Sequence, residues 1–247
     1  MLSSFTGVSK FGRRRVPAPA PVSTLVLDLD ALVYSGSGNW LDQSGNGNDG
    51  VITGTPTYVS NFGSYFDFTG GATTGPGTND SFRVSDSATL DSMTNISFET
   101  WIRIDAVQGT GSPNLLFDRR TASTNGYVGF FTNTGYTFRV GTSSPSQFTY
   151  ASTPTVGVWQ HIVVSISNTN VSKMYINNTE VASSTTYAPN FSNIDLTAAL
   201  TIGDINIAAS GVHSFDGEMG LFRIYDTALS STDVTTRWDA TRTRFGL

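Results

Sequence analysis

Three glutamates, Glu99, Glu180 and Glu218, and two histidines, His161 and His213, are the residues of this 247-residue chain best suited to acid–base chemistry. Retaining glycoside hydrolysis needs two carboxyls about 5 Å apart, one as nucleophile and one as acid. No two of these glutamates lie two or four residues apart, the spacing that would set them on one face of a strand. A Ser-His-Asp triad would need unrelated loops to converge, and no serine sits in a recognisable nucleophile elbow. The chain has no cysteine, which removes thiol catalysis, thiolate metal sites and disulfides. Catalysis is therefore not expected, and His161 reads as a structural strand residue.

Binding chemistry has more material. Asp42, Asn46, Asn48 and Asp49 crowd one Gly-rich turn, and calcium takes six to eight oxygens of this kind. Asp42 and Asn48 are the first candidate ligands. The alternative is an Asx-rich turn whose side chains bond their own backbone. Tyr127, Tyr136, Tyr150 and Tyr187 lie in loops or at strand ends among Thr, Ser and Asn, as a sugar-stacking platform would. They could equally be tyrosines half-buried against a core with the hydroxyl wet. The net charge is −5 and charged residues make up only 13% of the chain, so polarity rests on hydroxyls and amides. Such a surface suits sugar-like partners. It lacks the basic face that duplex nucleic acid requires, and no apolar run approaches the ~20 residues of a membrane helix.

Residues 1–23 differ from the rest. Lys10, Phe11, Arg13, Arg14 and Arg15 precede an alternation of Pro17, Pro19 and Pro21, which favours an extended path. The segment reads as a partner-binding arm, with a simple linker as the alternative. It lacks the apolar stretch of a secretory signal.

The elements that must position these groups are strands. Ile162, Val164 and Ile166 alternate with His161, Val163 and Ser165; Ser167 to Asn170 then turn the chain; Met174 and Ile176 follow, and Asn177-Asn178 turns it again. Period-two alternation bounded by Asn and Ser marks half-buried strands in hairpins. Similar stretches begin at Leu25, Tyr65, Ser81, Phe98, Asn114, Gly126, Thr137, Leu200, Phe215 and Leu221, at the short spacing of a β-sandwich. Ser230 and Asp233 form a capping-box variant. With Val234 and Trp238 on one face, they predict a two-turn helix plugging one end of the sandwich.

Several pieces, in order, resemble the laminin-G-like branch of the concanavalin-A-like lectin/glucanase superfamily. They are the turn Asp42 to Gly50, the strand Phe98 to Arg103, Trp159 to His161, Met174 to Asn177, and Leu200 to Gly203 followed by Phe215 to Ser230. Asn178 stands where relatives often have Gly. The resemblance implies a two-sheet antiparallel jelly roll over residues 24–247, all-β but for one short C-terminal helix. It also implies binding of glycans or proteins, in some members with calcium. The arm-plus-jelly-roll plan resembles decoration or fibre proteins of tailed-phage particles. The resulting expectation is a non-enzymatic virion-surface protein, made in the host cytoplasm and anchored by its arm to other virion proteins or to further copies of itself, with host glycans as additional partners. The alternative is a soluble, extracellular lectin or carbohydrate-binding module.

Overall fold

A computed structural model describes residues 24–70, 79–107, 112–142, 146–194, 196–207 and 213–247. The arm candidates from Lys10 to Pro21 lie outside them. Fifteen strands follow in chain order: β1 (Leu25–Asp30), β2 (Gly50–Thr53), β3 (Thr57–Val59), β4 (Tyr65–Phe68), β5 (Ser81–Val84), β6 (Ile96–Ile104), β7 (Asn114–Arg119), β8 (Tyr127–Thr132), β9 (Gly135–Val140), β10 (Phe148–Tyr150), β11 (Trp159–Ile166), β12 (Ser172–Ile176), β13 (Thr179–Ser184), β14 (Leu200–Ile202) and β15 (Gly217–Tyr225). One helical turn, α1 (Ala88–Asp91), precedes β6, and α2 (Ser231–Thr241) follows β15.

The strands form two antiparallel sheets. The first has the order β13-β12-β11-β6-β15-β4-β3, with β1 also paired to β15, and the second β10-β9-β8-β7-β14-β5-β2. The alternation read from sequence sets the inner faces. Phe98, Ile102, Ile162, Val164, Met174 and Phe222 of the eight-stranded sheet meet Phe82, Phe117, Tyr127, Phe131, Phe138 and Ile202 of the seven-stranded one in a single core. This is the jelly-roll sandwich that the resemblance implied.

The central hairpin turns as its asparagines predict. Asn177 and Asn178 have φ of 49° and 63°, the conformation a two-residue loop needs between twisted strands. Asn tolerates it because its short polar side chain bonds locally. Here the Asn177 side chain accepts the His161 amide at 2.9 Å.

The C-terminal helix differs from expectation in length and place. The capping box forms, with the Ser230 hydroxyl accepting the Asp233 amide and the Asp233 carboxylate accepting the Ser230 amide. The helix then runs 11 residues and covers the outer face of the eight-stranded sheet instead of plugging an end. The reason is that this sheet carries large apolar side chains on its outer side as well. Trp101 and Leu221 point outward from β6 and β15, where Trp238 and Phe245 bury them. The Trp101 ring stacks on Phe245 at 4.4 Å and on Trp238 at 5.5 Å, and its indole N–H donates to the Thr241 hydroxyl at 2.9 Å. Val163, Tyr175 and Tyr225 meet Leu229 and Val234 beside them. Truncating Phe245 opens this layer, so Phe245→Ala should lower unfolding free energy by about 3–5 kcal/mol, read from urea denaturation curves.

Candidate functional site

The three glutamates are held apart, each with a cation. Glu180 sits on β13 and bonds Lys173 at 2.8 Å. Glu218 is buried on the outer face of β15 and takes the Arg103 guanidinium through both carboxylate oxygens. Glu99 lies on the outer face of β6, fully buried under α2. Neighbouring strands direct its partners inward. His161, diagonally across on β11, donates from Nε2 to Glu99 Oε1 at 3.0 Å. Tyr225 donates its hydroxyl to Oε2, and Arg223, directly opposite on β15, approaches to 3.7 Å. Arg237 of α2 reaches Oε2 at 3.9 Å and lies over the Tyr225 ring. Burial alone would raise the Glu99 carboxyl. The His161 hydrogen bond and the Arg223 charge outweigh it and hold the group at about 2. Such a carboxylate stays ionised near neutrality, accepting hydrogen bonds but neither donating nor taking up a proton, and it is fully buried. His161 is a structural residue, as read from sequence.

Asp42 and Asn48 do not fit calcium. Asp42 Oδ1 accepts the amides of Asp28 and Ser44, and Oδ2 accepts the Asn48 amide and the Ser44 hydroxyl. Asn48 is buried; its amide donates to the Val26 carbonyl and Thr89 hydroxyl, and its oxygen accepts from Ser87. Donors occupy the oxygens a cation would take, so the turn is the backbone-bonded Asx turn of the alternative reading. Among the described residues no group of three or more His, Cys, Asp or Glu is placed to hold a metal.

The tyrosines separate. Tyr127 is fully buried in the core, and burial pushes its hydroxyl well up. Tyr187 is also buried, its hydroxyl accepting the Val140 amide at 2.7 Å. Neither can present a ring to a sugar, which corrects the expectation for both. Their ring area gains more from the core than from water. Tyr136 is buried as well, but it forms the floor of a groove. Tyr150 of β10, half-buried, stacks near-parallel on it with ring centres 6.4 Å apart.

This groove, of about 200 Å³, opens where the edge strands β10 and β13 of the two sheets meet, lined by Tyr150, Ser152, Thr153, Thr155, Gln160 and Val181. Gln160 is fixed on both sides: its oxygen accepts from the Tyr136 hydroxyl at 3.3 Å, and its amide donates to the Thr155 carbonyl at 2.8 Å. An aromatic flank, a fixed amide and a ring of hydroxyls match the amphipathic surface of a sugar. Ser152, Thr153, Thr155 and Gln160 were missed in the sequence because they lie in a loop and at a strand start with no motif. Only their closeness to Tyr150 hinted at them.

Residues 76–235 match the family model described as concanavalin A-like lectin/glucanases superfamily, the Laminin_G_3 family. The chain belongs to that family. No curated protein matches it. Among solved structures it is similar to botulinum neurotoxin type C, whose cell entry depends on interaction with two ganglioside molecules. The identity is 13%, the TM-score 0.67, and the match covers 88% of this chain and 51% of that one. The binding domain of Paraclostridial Mosquitocidal Protein 1 matches at 15% identity and TM-score 0.66, covering 87% and 52%. The botulinum neurotoxin DC binding domain, solved in complex with rat synaptotagmin II, matches at 12% identity and TM-score 0.67, covering 88% and 52%. The chain thus spans about half the length of these structures, and the likeness is one of fold.

Because Glu99 is held at about 2 in the folded protein against an ordinary 4.5, it stabilises the fold above pH 4.5. That contribution is lost as pH falls from 4.5 towards 2. Glu99→Gln should therefore show a shallower loss of stability across this window. At pH 7 the variant should already be weaker by about 3–5 kcal/mol, because Arg223 and Arg237 lose their common counter-charge. Denaturant titrations at pH 7, 5, 4 and 3 check both.

Proposed function

We propose that this chain is a non-catalytic saccharide-binding domain, with the groove between β10 and β13 as its neutral-sugar site. The observation that carries the reading is the stacked Tyr136–Tyr150 pair beside the fixed Gln160 amide in an open, hydroxyl-lined groove. Membership of a lectin and glucanase superfamily supports it, and the separate commitment of each glutamate to a cation argues for the lectin side. A glycan array followed by calorimetry tests it. Tyr150→Ala should weaken binding of a neutral hit about tenfold, the scale of a lost ring contact and hydrogen bond. EDTA should leave affinity unchanged, since Asp42 and Asn48 are bonded to backbone. An array without a hit, or affinity indifferent to Tyr150, would overturn the reading.

A virion-surface setting is favoured by the basic, proline-alternating sequence from Lys10 to Pro21. In this reading the arm tethers the domain to an assembly and the groove contacts host glycans. A soluble lectin would have no use for the tether. Deleting residues 1–22 should abolish incorporation into particles and leave the unfolding midpoint unchanged. Full occupancy by the truncated chain would remove the tether.

A further inference from the structure

The described part of the chain holds nine arginines, and seven have a carboxylate oxygen within 4 Å. The other two, Arg83 and Arg139, both lie on the outer face of the seven-stranded sheet. Arg83 is held by the Asn206 side-chain oxygen at 3.3 Å. Arg139, half-buried on β9, has no hydrogen bond or ion pair to any described residue. Its guanidinium rests over the Phe130 ring at 5.3 Å. Its Nε is buried without a partner, while Nη1 and Nη2 are not enclosed. A second buried polar atom without a partner lies just before the neighbouring strand. β9 and β10 pair Phe138 with Phe148, and Gln147 immediately precedes β10. The Gln147 oxygen is also buried and unpartnered.

Partly buried cations are normally paired, because desolvation without a counter-charge is costly. Burial and the nearby Arg120 charge disfavour the charged form of Arg139 and outweigh the weaker opposing effects of Tyr187 and Asp118. Arg120 itself is neutralised by a two-pronged contact with Asp118. A ring beneath the guanidinium fixes its plane and leaves its outer edge free, the geometry that grips a carboxylate with two parallel hydrogen bonds. Exposed Thr149 lies two strands from Phe130 across Thr137 on the same face, and adds hydroxyl character.

We propose that Arg139 is the anion-recognition point of a second saccharide site, on the outer face of the seven-stranded sheet, which takes the carboxylate of an acidic sugar. The choice of a sugar over an acidic peptide rests on the saccharide-binding reading above. The site is separate from the β10–β13 groove, so the two can be tested apart.

The test is calorimetric titration of the full chain with 3′-sialyllactose and trigalacturonate, and with lactose as the neutral counterpart. The acidic sugars should bind more tightly than lactose. Arg139→Gln should weaken them at least about tenfold, the scale of a lost charge-assisted bond, with lactose unaffected. Arg139→Lys should fall between, keeping charge but not the planar fork. Arg83→Gln changes net charge equally and should stay within about twofold. Arg139→Gln should lower the thermal midpoint only slightly, because the contact with the Phe130 ring is all that is lost. Equal losses in the two glutamine variants would reduce the effect to the general field and overturn the proposal. So would unchanged affinity in Arg139→Gln, or tighter binding of oligoglutamate than of either acidic sugar. If acidic sugars bind but depend on Tyr150 and not on Arg139, the proposal fails while the saccharide-binding reading stands. If no sugar binds at all, both fail.

Discussion

The central strands of the eight-stranded sheet, β6, β11 and β15, are buried on both faces, and most of the molecule follows from that constraint. In β6 the inward set Ile96, Phe98, Ile102 and Ile104 and the outward set Ser97, Glu99 and Trp101 are all buried. β11 and β15 repeat the pattern. A two-layer sandwich would leave Trp101, Val163, Leu221 and Tyr225 in water, at about 1.5–3 kcal/mol for each large apolar side chain. The segment after β15 therefore folds back as a third layer. Its capping box sets where the helix starts, and Val234, Trp238 and Phe245 supply the matching face.

Glu99 lies at the centre of that third interface, and its role is geometric. A buried ion cluster adds little net stability compared with apolar packing, since desolvation offsets most of the attraction. What it adds is mutual placement. One carboxylate is shared by His161 of β11, Arg223 and Tyr225 of β15 and Arg237 of α2, so three strands and the helix align on it. Arg223 extends the chain of charges to Asp28 and Asp30 on β1, and Arg244 closes on Asp30 from beyond the helix. A one-residue slip in β6 would turn Glu99 into the aromatic core, which the inward Phe98 and Ile102 make prohibitively apolar.

Period-two alternation made the sheets legible before any coordinates, and the Asn177-Asn178 turn and the Ser230–Asp233 box were readable from local chemistry alone. The third layer was not. Outward-facing Trp101, Tyr225 and Val163 look like ordinary half-exposed positions until something is known to cover them, and that cover comes from residues up to 144 positions away in sequence (Trp101 to Phe245). The tyrosines were misplaced for a different reason. Tyr127, Gly129 and Phe131 share one face of β8, as do Tyr136, Phe138 and Val140 on β9. That pattern already aligned both tyrosines with core phenylalanines, but their Thr- and Ser-rich surroundings drew attention to exposure instead. The Asx turn held two readings, and only the direction of its hydrogen bonds separates them. Arg139 carried no sequence signal at all, because an arginine is unusual only when its neighbours are known.

Covering one sheet has a consequence for the other. α2 and Phe245 lie over the outer face of the eight-stranded sheet, and the outer face of the seven-stranded sheet has no such helix over it among the described residues. That face is only partly closed. Ile205 and Ile207 fold over Leu115, Val128 and Phe130, and the Asn206 amides bond Asp118, Arg120 and Ala199, so the turn from 204 to 207 is pinned across β7 and β8. Beyond that turn, towards β9 and β10, the surface has hydroxyls, one aromatic edge and an unpaired guanidinium instead of an apolar stripe. Of the nine described arginines, only Arg83 and Arg139 have no carboxylate oxygen within 4 Å, and both lie on this face. Charge is thus treated unevenly between the two outer faces, and that difference is what the acidic-sugar proposal rests on.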